Sequence, residues 1–167
     1  LPKDKMQVVY NGTDLHRFIP HPAHTDTPLR LIYVGRIIRD KGIDLLLEAL
    51  AACPTDTPIT LTLVGSDHGG YTEQMQALTA RLHLEDKVQF LGSRTDVPQL
   101  LQAADLFVHP ATCQEGFGIT LIEAMASGVP CLAFPKGAIP EIIGPEIDGF
   151  LTEEVSDAAL TAGINRA

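Results

Sequence analysis

No apolar run in this sequence exceeds about six residues, against the ~20 that a bilayer-spanning helix needs. That excludes a transmembrane segment. A signal-peptide pattern is also lacking: Lys3, Asp4 and Lys5 stand where its apolar core would be. Basic residues are scarce, with 12 Lys plus Arg against 21 Asp plus Glu and a formal net charge of −9. A chain of that balance is not a general nucleic-acid binder, although a few cations can still converge on one small anion. Cysteine is scarce too. Cys53, Cys113 and Cys131 cannot all pair and form no Cys-x-x-Cys, which reads as reduced thiols in a cytoplasmic protein. Of the histidines, His21 and His24 are close in sequence, but no second ligand cluster lies near them, so no metal site is expected. Internal repeats and low-complexity tracts are absent.

What is present is one domain's worth of apolar residues, 45% of 167, with a mean hydropathy of +0.12. Strand-like and helix-like segments alternate. Short apolar runs at 29–34, 59–64, 88–91, 105–109, 129–134 and 149–151 read as strands, several of them ending at a glycine. Between them, helical spacing is expected from Ile43 to Cys53, Tyr71 to Leu84, Val97 to Ala104, Gly118 to Ser127 and Gly137 to Ile143. Such alternation predicts an α/β fold: a Rossmann-like, doubly wound parallel sheet of about six strands. Ligands then bind beyond the carboxyl ends of the strands, at Gly35, Gly65, Gly92 and the loop after Pro110. Residues 1–28 precede the sheet, and residues 155–167 read as a helix cut short. From Glu141 to Asp157 the charges are all acidic, including Glu146 and Asp148, which reads as a solvated face.

Two segments carry chemistry. The first runs from Gly35 through Arg36 to Lys41 and Gly42, after a strand and before a helix. It is neither Gly-x-Gly-x-x-Gly nor a Walker A loop. It brackets a turn with two cations at a helix N-terminus, where backbone N–H groups and the helix dipole favour an anion. Arg36 can fork onto phosphate oxygens, and Lys41 acts as a point charge. A solvated turn with ordinary surface bases would carry the same residues.

The second segment runs from Glu115 to Glu123. Gly116 and Gly118 let a ligand approach the backbone, and the N–H groups of Phe117 and Ile119 join theirs at a helix start. Thr120 shares a helix side with Glu123. Carboxylates beside an anion site can accept hydrogen bonds from sugar hydroxyls. Alternatively, Glu115 serves the helix dipole and Glu123 a surface pair.

In this spacing, Gly35-Arg36-x4-Lys41-Gly42 followed by Glu115-Gly-Phe-Gly-x4-Glu123-Ala-Met-Ala-x-Gly128 resembles the retaining glycosyltransferases of GT-B fold called group 1 or family 4. Asn11-Gly12-Thr13-Asp14 with Phe18, Val88 to Gly92, Ala104 to Pro110, and Gly128-Val129-Pro130 match in order, from Val8 to Leu151. The resemblance implies the C-terminal half of a GT-B fold. Residues 1–28 would be an interdomain linker and lead-in, 29–154 the nucleotide-sugar-binding domain, and 155–167 a truncated C-terminal helix.

It implies roles as well. Arg36 and Lys41 would hold the donor diphosphate, following Gly35. Glu115 would accept hydroxyls of the transferred sugar, with Gly116, Phe117 and Gly118 presenting N–H groups to sugar and phosphate, and Ile119 and Thr120 continuing that contact. Glu123 would bind the ribose, and the base would lie near Leu91, Gly92 and Ser93. The substrate would be a nucleotide-diphosphate sugar, with no metal or other cofactor. An N-terminal acceptor-binding domain, bearing a histidine that helps catalysis, would be missing from this chain, and any contact with a membrane would run through that half. The resemblance thus implies a hexose transfer that this chain alone does not complete. His109 reads as a structural residue at a strand end, and Arg94 as an exposed arginine within reach of the site. Other readings are a nucleotide-sugar epimerase of the same architecture and a non-catalytic nucleotide-sugar-binding module. A dinucleotide oxidoreductase would want glycines where Arg36 and Lys41 stand.

Overall fold

The computed structural model describes residues 5–22, 28–56, 58–67, 69–144 and 149–167. Lys3, Asp4, His24, His68, Glu146 and Asp148 lie outside the described residues.

Six strands form one parallel sheet: β1 (Leu29–Val34), β2 (Ile59–Val64), β3 (Val88–Gly92), β4 (Leu106–His109), β5 (Cys131–Ala133) and β6 (Gly149–Leu151). Their order is β3-β2-β1-β4-β5-β6, and every pairing is parallel. The helices are α1 (Ile43–Ala52), α2 (Tyr71–Arg81), α3 (Val97–Gln102), α4 (Ile119–Ala126), α5 (Ile139–Ile142) and α6 (Asp157–Ile164). This is the doubly wound α/β sheet expected from the alternation.

Both faces of the sheet are covered, and the period of two along each strand divides its side chains between two cores. Leu31, Tyr33, Leu106, Val108 and Leu132 pack with Leu46 of α1, Met75 of α2 and Leu160 of α6. Their alternates Ile32, Val34, Phe107, Cys131 and Ala133 pack with Leu101 of α3, Leu121 of α4 and Ile139 of α5. Phe18, 3% exposed, anchors the lead-in segment in this second core. At the other end, α6 is capped by Ser156, whose hydroxyl accepts from the Ala159 N–H. Leu160 and Ile164 bury it in the first core.

Some boundaries differ from the expected ones. α2 stops at Arg81 because His83 takes a left-handed φ of 57° and the Leu84 N–H turns back to the Thr79 carbonyl. β5 is only three residues long, since only Cys131–Ala133 pair with Phe107–His109 of β4 and Gly149–Leu151 of β6. A 3-10 turn over Arg39–Lys41, unforeseen in the sequence, precedes α1.

The strand order fixes where a ligand can sit. The chain leaves β1 toward β2 and β3 on one side, and β4 leads to β5 and β6 on the other. The loops after β1 and β4 therefore part at their carboxyl ends and open a crevice.

Candidate functional site

The loop after β1 is held from several directions. The Gly35 N–H donates to the Val64 carbonyl (2.9 Å) and the Ile37 N–H to the Ser66 carbonyl (2.9 Å). Tyr33, buried on β1, donates its hydroxyl to the Arg36 carbonyl at 2.8 Å. Burial, first of all, pushes the Tyr33 phenol well above its ordinary range, so the hydroxyl stays a donor. Gly42 has a φ of 65°, and a Cβ there would stand 2.1 Å from the Pro110 carbonyl oxygen. Only glycine lets the β1 loop lie this close to the β4 loop. The Asp40 carbonyl joins the two by accepting from the Thr112 N–H (3.0 Å) and the Cys113 N–H (3.3 Å).

Across the crevice, α4 begins at Gly118 (φ 85°) with no side chain capping its first amides. Those orphan donors, at the positive end of the helix dipole, suit an anion. A cavity of about 300 Å³ lies between the two loops. Gly35, Arg36 and Lys41 line one side of it. Glu115, Phe117, Gly118, Ile119 and Thr120 line the other, with Tyr33 and His109 at the strand ends.

Lys41 Nζ pairs with Glu115 Oε2 across this cavity. His109 Nε2 lies 3.4 Å from the same oxygen, in ion-pair range but without a hydrogen bond. His109 is 3% exposed, and neither ring nitrogen has a hydrogen-bonding partner. A buried unpaired nitrogen costs about 1–3 kcal/mol, so its retention asks for a reason. The nearby His109 nitrogen first, and Lys41 after it, hold the Glu115 carboxyl down at about 2, against an upward push from burial. Glu115 is thus a fixed carboxylate at neutral pH.

That shift sets an acid dependence. Glu115 titrates lower in the folded chain than its ordinary 4.5. Its stabilising contribution is complete above that ordinary value and drains away as pH falls toward about 2. Urea midpoints measured at about pH 5 and about pH 3 should therefore fall further for the parent chain than for Glu115→Gln. Equal falls would remove this group from the acid response.

The other expected residues are placed as follows. Glu123 sits a turn beyond Thr120 on α4, half-buried, its carboxyl pushed up by burial and drawn down in part by Arg17. The Arg17 guanidinium donates to the Thr95 carbonyl (3.4 Å), spanning toward the loop after β3. Leu91 and Gly92 end β3, where the Gly92 carbonyl accepts from the Gly65 N–H at 2.9 Å. Ser93 follows, exposed. These three and Glu123 do not line the 300 Å³ cavity. Gly116 is exposed between Glu115 and Phe117. Arg94 is exposed and forks onto Asp96 (2.8 and 2.7 Å). The family model described as glycosyl transferases group 1 matches residues 17–167.

The chain belongs to the group 1 glycosyl transferases. It is 32% identical over 160 residues to N-acetyl-alpha-D-glucosaminyl L-malate synthase of Bacillus anthracis, covering 91% of this chain and 41% of that relative. The crystal structure of Anabaena Alr3699/HepE in complex with UDP-glucose superposes with a TM-score of 0.85 at 32% identity, over 96% of this chain and 47% of that one. A glycosyltransferase from Rickettsia africae ESF-5 superposes with a TM-score of 0.91 at 25% identity, over 99% and 48%. This group 1 chain thus spans between two fifths and half of the length of such relatives.

Three contributors to the site escaped the sequence reading of this group 1 chain. Gly137 (φ 61°) packs so closely that a Cβ would stand 2.1 Å from the Glu115 carbonyl oxygen, which accepts from the Ala138 N–H at 2.9 Å. Tyr10 of the lead-in donates to Glu141 (2.9 Å) and meets the Phe117 ring at 6.0 Å. His109, read as structural, faces the cavity. Of these, only Gly137 carried a signal, a glycine just before a helical turn. Among the described residues no group of three His, Cys, Asp or Glu side chains is placed to hold a metal ion. No described helix is long and apolar enough to cross a membrane.

Proposed function

We propose that this chain is the donor-binding domain of a retaining glycosyltransferase, one that moves a hexose from a nucleotide-diphosphate sugar to an acceptor hydroxyl. The observation that carries this reading is a cavity in which Arg36 and Lys41 face the uncapped N-terminus of α4. Cations and helix amides on opposite sides suit a diphosphate lying between them. As the bond between sugar and diphosphate breaks, negative charge grows on the leaving phosphate. Arg36 and the α4 amides border the cavity where that charge grows, and Lys41 reaches it by turning from Glu115. In this reading no metal is needed for that charge.

Glu115 accepts from hydroxyls of the sugar, and Glu123, with the loop from Leu91 to Ser93, takes the nucleoside. The carboxylate of Glu115 is paired on Oε2 with Lys41, which suits orienting a ring better than attacking it; we assign it no nucleophilic step. The similarity to Anabaena HepE, whose structure holds UDP-glucose, supports a nucleotide sugar as ligand. The acceptor would be held by a second domain outside this chain. We place the reaction in the cytoplasm, where the three cysteines, none of them in a disulfide, would stay reduced.

Calorimetry on the chain tests the reading. Arg36→Ala and Lys41→Ala should each weaken UDP binding about tenfold or more, since a lost charged contact costs roughly 1.5–3 kcal/mol. Glu123→Gln should weaken UDP and UDP-glucose alike, whereas Glu115→Gln should weaken chiefly the conjugate. Unchanged UDP affinity in both cation variants would remove the diphosphate from this cavity.

A further inference from the structure

We infer that His109 is a positioning residue for Glu115: it shares the hold on Oε2 with Lys41 and keeps that hold when Lys41 turns to a phosphate. The inference rests on the donor-site reading above and adds to it a residue whose ring nitrogens are closed off from the cavity it borders.

His109 ends β4 with its ring stacked over Phe107, at 6.2 Å between centroids and 19° between planes. Neither ring nitrogen reaches solvent or a hydrogen-bonding partner. Nitrogens so enclosed cannot touch a substrate in the cavity, so whatever they do must pass through a neighbour. The neighbour is Glu115, whose Oε2 lies 3.4 Å from Nε2. An aliphatic side chain would fill this strand end without leaving polar atoms unpaired, and imidazole does not.

Lys41 explains why a second holder is useful. Its ammonium is paired with Glu115, yet it lines the same cavity as Arg36. A diphosphate entering that cavity competes for Lys41, and Glu115 then loses its first partner. The imidazole is fixed by packing and cannot follow the ligand. A small turn of the carboxylate closes 3.4 Å to a hydrogen bond, on the oxygen Lys41 has left. Both contacts fall on Oε2, so Oε1 is available to a sugar hydroxyl in either state. Among the described residues, Tyr33, Arg36 and Cys113 are further titratable or charged groups at this corner.

The test follows the Glu115 carboxyl by carbon-13 NMR through an acid titration of this chain, in the parent and in His109→Phe, His109→Leu and His109→Gln. Phe keeps the stacking and Leu the bulk, while Gln restores an N–H donor. The Glu115 midpoint should rise by about one pH unit or more in the Phe and Leu variants and return toward the parent in Gln. Calorimetry should show UDP-glucose binding weakened about fivefold by His109→Phe, with UDP itself changed less than about twofold. An unmoved Glu115 midpoint in both the Phe and Leu variants would overturn the inference, as would equal losses for the two ligands. Should the parent bind neither UDP nor UDP-glucose, the donor reading fails by itself, and the carboxyl titration still decides whether His109 positions Glu115.

Discussion

Adding one methyl group at Gly137 is expected to dismantle the Glu115 corner. The Cβ of Gly137→Ala would stand 2.1 Å from the Glu115 carbonyl oxygen and 2.5 Å from its nitrogen. Both are backbone atoms, so no side chain can rotate away. The residue's φ of 61° adds the left-handed cost of about 1–2 kcal/mol that glycine alone avoids. Relieving such an overlap costs typically ~1–3 kcal/mol more. The loop must move, and with it the carboxylate that Lys41 and His109 hold. Gly69→Ala is the control: its φ is 80°, but nothing lies within 4 Å of the added Cβ. Urea melts should show Gly137→Ala losing at least about 2 kcal/mol more than Gly69→Ala. UDP-glucose affinity should fall more than about tenfold in the first and hold in the second. Equal behaviour of the two variants would mean that the Glu115 loop tolerates displacement.

The chain by itself is expected to bind a nucleotide sugar and transfer nothing. It has two cores, one on each face of its sheet, and so should fold without help. The proposed diphosphate, ribose and sugar contacts all come from its own loops. In the proposed reading the acceptor contacts come from a second domain, and the advantage of holding both reactants together reaches effective molarities of roughly 10⁵ M and above. Transfer to candidate acceptors should therefore fall at least about a thousandfold below that of a full-length relative assayed alongside with radiolabelled donor. Binding should be weak, at about tens of micromolar, because water screens charges in an open crevice. Turnover near the relative's rate would show that the chemistry needs no second domain.

Much of the fold was legible because the central strands are buried on both faces and read as short apolar runs with a glycine or proline near the end. Leu29–Val34 and Ile59–Val64 have the expected bounds for that reason. Helix ends were less legible: α2 is stopped by the left-handed turn of His83, a residue type that gives little warning of it. At the site, the motifs announced the two loops but not how they meet. The Lys41–Glu115 pair is made by strand order, which no local spacing encodes. Lys41 was read toward phosphate, and in the structure it is turned to a carboxylate. His109 escaped for the opposite reason. Its neighbours make it a strand residue, and only the burial of both its nitrogens gives it another meaning.

The Lys41–Glu115 contact joins positions 74 residues apart, and it depends on β1 lying beside β4 at the centre of the sheet. Closing so long a loop comes late and slowly in folding, because its entropy is spent before the contact repays it. The crevice cannot exist in a partly assembled chain that has paired only β1 with β2, so the proposed diphosphate site forms only once both halves of the sheet have joined. A ligand bound there would favour the complete fold over the unfolded chain, and above its Kd would raise apparent stability with the logarithm of its concentration. A nucleotide would act on this chain first as a clasp on its topology.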